Sequence, residues 1–157
     1  MKELLEFLTS SVGSYGLGVM GILLAMSLSG TGSARGVGMA GEAAAALAKE
    51  QPEKFGKAMI LQLLPGTQGF YGFVISMMIF GNLNSSLTYE SGLKMLMAGF
   101  VVGFVGLTSA IAQGRVATAG IQILAKNEEH FMKGAIFAGM VEMYAILGFV
   151  IAFILLG

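Results

Sequence analysis

The chain has 157 residues, 55% of them hydrophobic and only 11% charged, with a mean hydropathy of +0.80 and zero net charge. A soluble domain carries about 25% charged residues, so this composition excludes an ordinary soluble enzyme and points to the membrane class. With no cysteine, disulfides, iron–sulfur clusters and thiolate metal sites are excluded as well.

Four stretches lack charge or nearly so: residues 7–34, 58–89, 95–114 and 134–157, the last interrupted only by Glu142. Each can cross a hydrocarbon layer about 30 Å thick, which takes roughly 20 helical residues. The chain therefore reads as an all-α membrane protein with four transmembrane helices. Residues 1–8 carry Lys2, Glu3 and Glu6 and no long basic region. The first apolar run also exceeds a signal-peptide core, so it is expected to be a retained helix and not a cleaved signal.

Helix 1 has small residues at every second position from Gly30 through Gly32, Ala34, Gly36 and Gly38 to Ala40. In water each glycine costs a helix about 1 kcal/mol against alanine, but in a bilayer small residues let helix backbones approach. Gly30, Gly32, Gly36 and Gly38 are thus expected to be packing positions on a crowded inner wall. Gly36-x-Gly38-x-x-Gly41 has the spelling of a dinucleotide fingerprint. That motif needs a preceding strand, whereas here it continues a hydrophobic helix, so the reading is packing. No basic patch interleaved with aromatics points to nucleic acid.

Of nine lysines and arginines, seven (Arg35, Lys49, Lys54, Lys57, Arg115, Lys126 and Lys133) lie in or beside the connections between helices 1 and 2 and between helices 3 and 4. The positive-inside rule makes these connections cytoplasmic, with both termini and the central loop outside the cell membrane. Glu42, Glu50 and Glu53, with Lys49, Lys54 and Lys57, read as a solvated turn that can serve as a docking surface. His130, beside Glu128 and Glu129, reads as solvated, because a lone histidine makes a poor metal site. The twelve methionines read as adaptable packing.

The two halves resemble each other. Phe55-Gly56-Lys57 matches Phe131-Met132-Lys133, and Gly72-Phe73-Val74-Ile75 matches Gly148-Phe149-Val150-Ile151, both at an offset of 76. Val37 and Gly41 match Val116 and Gly120 at an offset of 79. The chain divides into two tandem helical hairpins, residues 1–86 and 87–157, entering the membrane in the same orientation. Parallel repeats favour a bundle or ring. At the 76-residue offset Glu142 falls opposite Gly66, so only the second hairpin has a carboxylate inside an apolar span.

A bare carboxylate in hydrocarbon costs roughly 2.5–3.5 kcal/mol on insertion scales, which makes Glu142 a functional residue in need of partners. Helix 2 places Leu64, Thr67, Gln68 and Tyr71 at i, i+3, i+4 and i+7, on one face. Pro65 lacks an N–H and frees backbone carbonyl oxygen, most directly that of Leu61. Helix 3 adds Gln113. Gln113 lies 13 residues before Lys126, Glu142 lies 13 after Glu129, and Gln68 lies 14 after Lys54. At about 1.5 Å per residue the three share one layer. Taken singly, the glutamines can be interhelical glue, Thr67 can back-bond to its own helix, and Tyr71 can be packing. Taken together they form a set of hard oxygen donors with one negative charge. A Ca²⁺ site would add carboxylates, so the set fits a monovalent cation, Na⁺ foremost. A pure proton carrier would not need the extra oxygens.

The small-residue helix 1, GEAAAAL, LQLLPGTQGFYGFVI, AQGRVATAGIQIL and MVEMYAILGFVI together resemble the proteolipid (K or c) subunit of V-type ATPases, nearest the bacterial Na⁺-transporting branch. The resemblance runs over nearly the whole chain. It implies a Na⁺ site made by the Leu64 carbonyl with Thr67, Gln68, Gln113 and Glu142, and with Tyr71 hydrogen-bonded to the carboxylate. It further implies a rotor ring of identical copies, a stator membrane subunit bearing an arginine, and a central-stalk subunit of a soluble ATPase head. Catalysis belongs to that head, and this chain has no P-loop. Two rival readings are a proton-carrying ring and a small four-helix cation or drug exporter. Inverted repeats or dual topology would favour the exporter.

Overall fold

The computed structural model describes residues 2–157; Met1, at the start of the expected retained segment, lies outside them. Six α-helices follow in order: α1 (Lys2–Thr9), α2 (Ser11–Glu50), α3 (Phe55–Leu63), α4 (Thr67–Asn82), α5 (Tyr89–Lys126) and α6 (Phe131–Leu156). Residues 64–66 form a single 3₁₀ turn between α3 and α4. Four spans, Val12–Glu50, Pro52–Asn82, Tyr89–Lys126 and Glu128–Leu156, are long and apolar enough to cross a membrane, and the protein is a multi-pass membrane protein.

The helices outrun the apolar stretches that predict them. Strong helix formers in GEAAAAL carry α2 on to Glu50, and α5 continues to Lys126. The connections are left as short as residues 51–54 and 127–130. Arg35, Lys49, Arg115 and Lys126 therefore sit on helices and not in loops. The ends are capped locally. The Ser10 side chain accepts the Gly13 amide at 3.1 Å and Thr88 accepts that of Ser91 at 3.2 Å, each satisfying one orphan donor of a first turn.

Lys54 corrects the expectation of a solvated turn. It is buried, and its Nζ donates to the carbonyls of Leu124 and Ala125 at 3.0 and 3.1 Å. A cation there caps the negative end of the α5 dipole. Beside it Lys57 pairs with Glu128 at 2.7 Å. The first contact ties the first connection to the end of α5, and the second ties α3 to the second connection.

The core is the seam between α2 and α5. Side chains built on its glycines would strike the facing backbone: Gly92 meets Ser14, Gly99 meets Gly21, Gly103 meets Leu24, Gly106 meets Ser29 and Gly114 meets Gly36. Positions on both helices rise together, so α2 and α5 run parallel, as expected for repeats of like orientation. Helix α4 packs on α2, and α6 packs on α5. Two apolar clusters bracket the bundle. One contains Ala25, Ile75, Ile79 and Val102, and the other Ala40, Ala58, Leu61 and Ile121.

The alternating small residues divide between two faces, because two residues turn a helix by about 200°. Gly32, Gly36 and Ala40 are buried, with Gly32 against Leu107 and Gly36 against Ala110. Gly38 is exposed with open space beside it, and a side chain built on Gly30 would meet only Met26 of its own helix. Within one chain, then, Gly32 and Gly36 pack on α5 and Gly30 lies by Gly69 of α4, while Gly38 has no such neighbour. Gly99→Val should lower the thermal stability of the purified protein by more than the roughly 1–3 kcal/mol typical of overpacking, since backbone cannot yield. Gly38→Ala should leave folding within about 0.5 kcal/mol. Circular dichroism melts in detergent check both, and equal behaviour of the two variants would contradict the seam.

Candidate ion-binding site

Between the two apolar clusters lies one polar layer. Gln68 and Gln113 in it are fully buried, whereas Glu142 is only partly buried, on the α6 surface beside α4. Tyr71 Oη donates to Glu142 Oε1 at 2.6 Å, and Gln68 Nε2 donates to Oε2 at 3.2 Å. Thr67 Oγ1 lies 2.7 Å from each carboxylate oxygen. The depth count from the loops thus corresponds to real contact between α4, α5 and α6.

Thr67 Oγ1 also lies 2.9 Å from the Leu64 carbonyl oxygen and 3.4 Å from Gln68 Oε1. A hydroxyl has one proton and can donate it to only one of these four oxygens. The other approaches bring oxygen to oxygen, an arrangement that a positive charge relieves. Of the two carbonyls considered near Pro65, that of Leu64 faces Thr67. The 3₁₀ turn at 64–66 turns the Leu64 carbonyl this way.

The orientation of both amides follows from a directional chain. Gln113 Nε2 donates to the Ala138 carbonyl at 3.1 Å, so its oxygen points to the site and accepts from Gln68 Nε2 at 2.6 Å. Gln68 Oε1 is left facing Thr67. Tyr71 stacks at a tilt on Phe149 with ring centroids 5.3 Å apart, closing the layer on the side away from the connections at 51–54 and 127–130.

Sequence reasoning missed two participants. The Ala138 carbonyl stands one turn before Glu142, and no side chain advertises it. Ser33 Oγ accepts the Gly69 amide at 2.8 Å, pinning the first turn of α4 to α2 next to Thr67 and Gln68. Ser33 stands in plain view, a hydroxyl within the small-residue run, and a depth match to Gln68 is the signal that finds it. Among the described residues no group of three or more His, Cys, Asp or Glu side chains is placed to hold a metal. Any cation in this polar layer meets one carboxylate and neutral oxygens.

The ATP synthase C-subunit family matches twice, at residues 20–79 and 96–155, two segments related by the 76-residue offset of the internal duplication. The V-type sodium ATPase subunit K of Enterococcus hirae is 59% identical over 97% of this chain and 97% of its own length. The A-type ATP synthase subunit K of Methanocaldococcus jannaschii is 39% identical over 89% of this chain and 61% of its own. The 16 kDa proteolipid of the human V-type proton ATPase is 31% identical over 87% of this chain and 88% of its own.

Ser33→Ala should leave the Gly69 amide without its buried acceptor, at about 1–3 kcal/mol, and should loosen the Thr67–Gln68 turn. Ser33→Thr keeps the hydroxyl and should restore stability. Melting of the two variants side by side checks this, and indistinguishable melts would remove Ser33 from the site's support.

Proposed function

We propose that this chain, which belongs to the ATP synthase C-subunit family, is the membrane rotor proteolipid of a V-type ATPase and carries Na⁺ on Glu142. The observation that carries the reading is the convergence on one point of a single carboxylate, the Thr67 hydroxyl, the Leu64 carbonyl and the Gln68 amide oxygen, with too few protons among them. Gln113 Oε1 completes the set. The similarity to a relative named for sodium supports Na⁺ over the proton carried by relatives named for it.

The electrostatics set the mechanism. Na⁺ neutralises Glu142, so the loaded site can turn through lipid without exposing a bare charge. The partly exposed position of Glu142 on the outer flank of α4 and α6 allows exchange. There a stator subunit with an arginine takes the carboxylate while the ion leaves and another enters. Identical copies form the ring. The connections at 51–54 and 127–130 face the cytoplasm and meet the central stalk of the soluble head, where ATP is hydrolysed or made. The two hairpins, residues 1–86 and 87–157, contribute one site because Gly66 stands where a second carboxylate would be.

The exporter reading loses its support, because the repeats are parallel in both the family match and the α2–α5 pairing. The proton-ring reading is tested directly. Dicyclohexylcarbodiimide should label Glu142 and Na⁺ should slow the labelling at constant pH; labelling elsewhere, or indifference to Na⁺, would count against the site. Gln68→Leu with Gln113→Leu should weaken Na⁺ protection by up to roughly a hundredfold per oxygen removed. Undiminished protection in that variant would make the proton ring the better reading.

A further inference from the structure

The two hairpins are built alike, contact by contact. Helices α2 and α5 end at Glu50 and Lys126, the 3₁₀ turns that follow span residues 52–54 and 128–130, and α3 and α6 begin at Phe55 and Phe131, each pair 76 residues apart. Inside the bundle Gly72 packs on Ser29 and Gly148 packs on Val105, and both members of these contacts are again 76 apart. What the first connection does to the helix end beside it, the second is placed to do one hairpin further on.

The first connection clasps α5. Lys54 Nζ donates to the carbonyls of Leu124 and Ala125 at 3.0 and 3.1 Å, and Gln51 Nε2 reaches the same Ala125 carbonyl at 3.4 Å. A helix end leaves its last carbonyls without partners in the helix, and a cation or donor placed there is stabilising.

At the offset of 76, Lys54 corresponds to His130, while Leu124 and Ala125 correspond to Ala48 and Lys49 at the end of α2. Among the described residues no side chain donates to the Ala48 or Lys49 carbonyl, and the half-buried His130 imidazole has neither ion pair nor hydrogen bond. A donor lacks an acceptor, and a helix end lacks its cap. Within the chain no third hairpin stands to the second connection as α5 stands to the first.

We propose that His130 caps the end of α2 in the neighbouring copy, an imidazole N–H donating to the Ala48 or Lys49 carbonyl there. The inference rests on the reading that identical copies form a ring, in which each second hairpin meets the first hairpin of the next copy as the two hairpins of one chain meet. Each imidazole N–H donates to one carbonyl and the side chain is shorter than that of lysine, so it takes one carbonyl where Lys54 takes two. The Lys57–Glu128 pair is not repeated in kind, since Pro52 stands at the offset from Glu128. The clasp lies 12 residues before Glu142, about 18 Å along α6, and does not depend on which ion Glu142 carries.

The chain has no cysteine, so introduced pairs react alone. In the purified full-chain assembly, a short bismaleimide should join Lys49→Cys with His130→Cys across copies and give a ladder of dimers and higher multiples on a denaturing gel. Lys54→Cys with Ala125→Cys should react within the chain and run as monomer. His130→Ala should lower the temperature at which the unboiled oligomer dissociates by roughly 2–4 °C, the shift that one helix-end contact gives in a chain of this size, and His130→Lys should restore it. Should the cysteine pair prevent assembly, the alanine and lysine variants decide alone. An intact oligomer whose Lys49→Cys, His130→Cys pair links only within chains or not at all would overturn the inference and leave the ring standing, as would equal dissociation of the parent and both histidine variants. Absence of any oligomer in the parent would remove the ring reading and this contact with it. Na⁺ protection of Glu142 in the same samples reports separately on the ion site.

Discussion

The structure is organised around the cost of one carboxylate in an apolar span. Glu142 must be neutralised or hydrogen-bonded, and the chain supplies three donors from α4, namely Thr67, Gln68 and Tyr71. More oxygen than proton is gathered there, and the proposal of a cation site rests on that excess. Arranging those oxygens takes a broken helix at Pro65, an amide held from α6, and a hydroxyl reaching from α2.

The glycine seam serves the same end. Only where α2 and α5 approach at backbone distance, as at Gly36 and Gly114, are α4 and α6 drawn close enough for Gln68, Gln113 and Glu142 to meet. The apolar clusters on either side keep the layer dry, which strengthens each polar contact and makes any unpaired one costly. Lys54 fastens the connections by capping α5. Packing, capping and the polar layer are one construction, in which loss of a small residue on the seam acts at a distance on the ion site.

Much of this is legible in the sequence, for definite reasons. Charge-free stretches report membrane spans, helical periodicity puts Thr67, Gln68 and Tyr71 on one face, and counting from the loops gives the shared depth. The duplication gives the parallel repeats. Less legible are contacts that have no side-chain signature, such as the Ala138 carbonyl, and choices between neighbouring carbonyls, of which that of Leu64 lies against the Thr67 hydroxyl. Charge patterns misplace Lys54, because a buried lysine on helix-end carbonyls looks in sequence like any loop lysine. They also put Arg35 and Arg115 in or beside the connections, whereas both lie well inside helices, because helix continuation beyond the apolar run is set by propensity and not by hydropathy. Alternation of small residues reads as one wall, though 200° per step makes it two.

The central claim is that each chain holds one Na⁺ at Glu142. Equilibrium binding of ²²Na⁺ to the purified assembly, at fixed pH and known protein concentration, measures this most directly. The account predicts one bound ion per chain in the parent and none in Glu142→Gln, with the oligomer intact on an unboiled gel. Binding that survives Glu142→Gln, or no saturable binding in the parent, would contradict it.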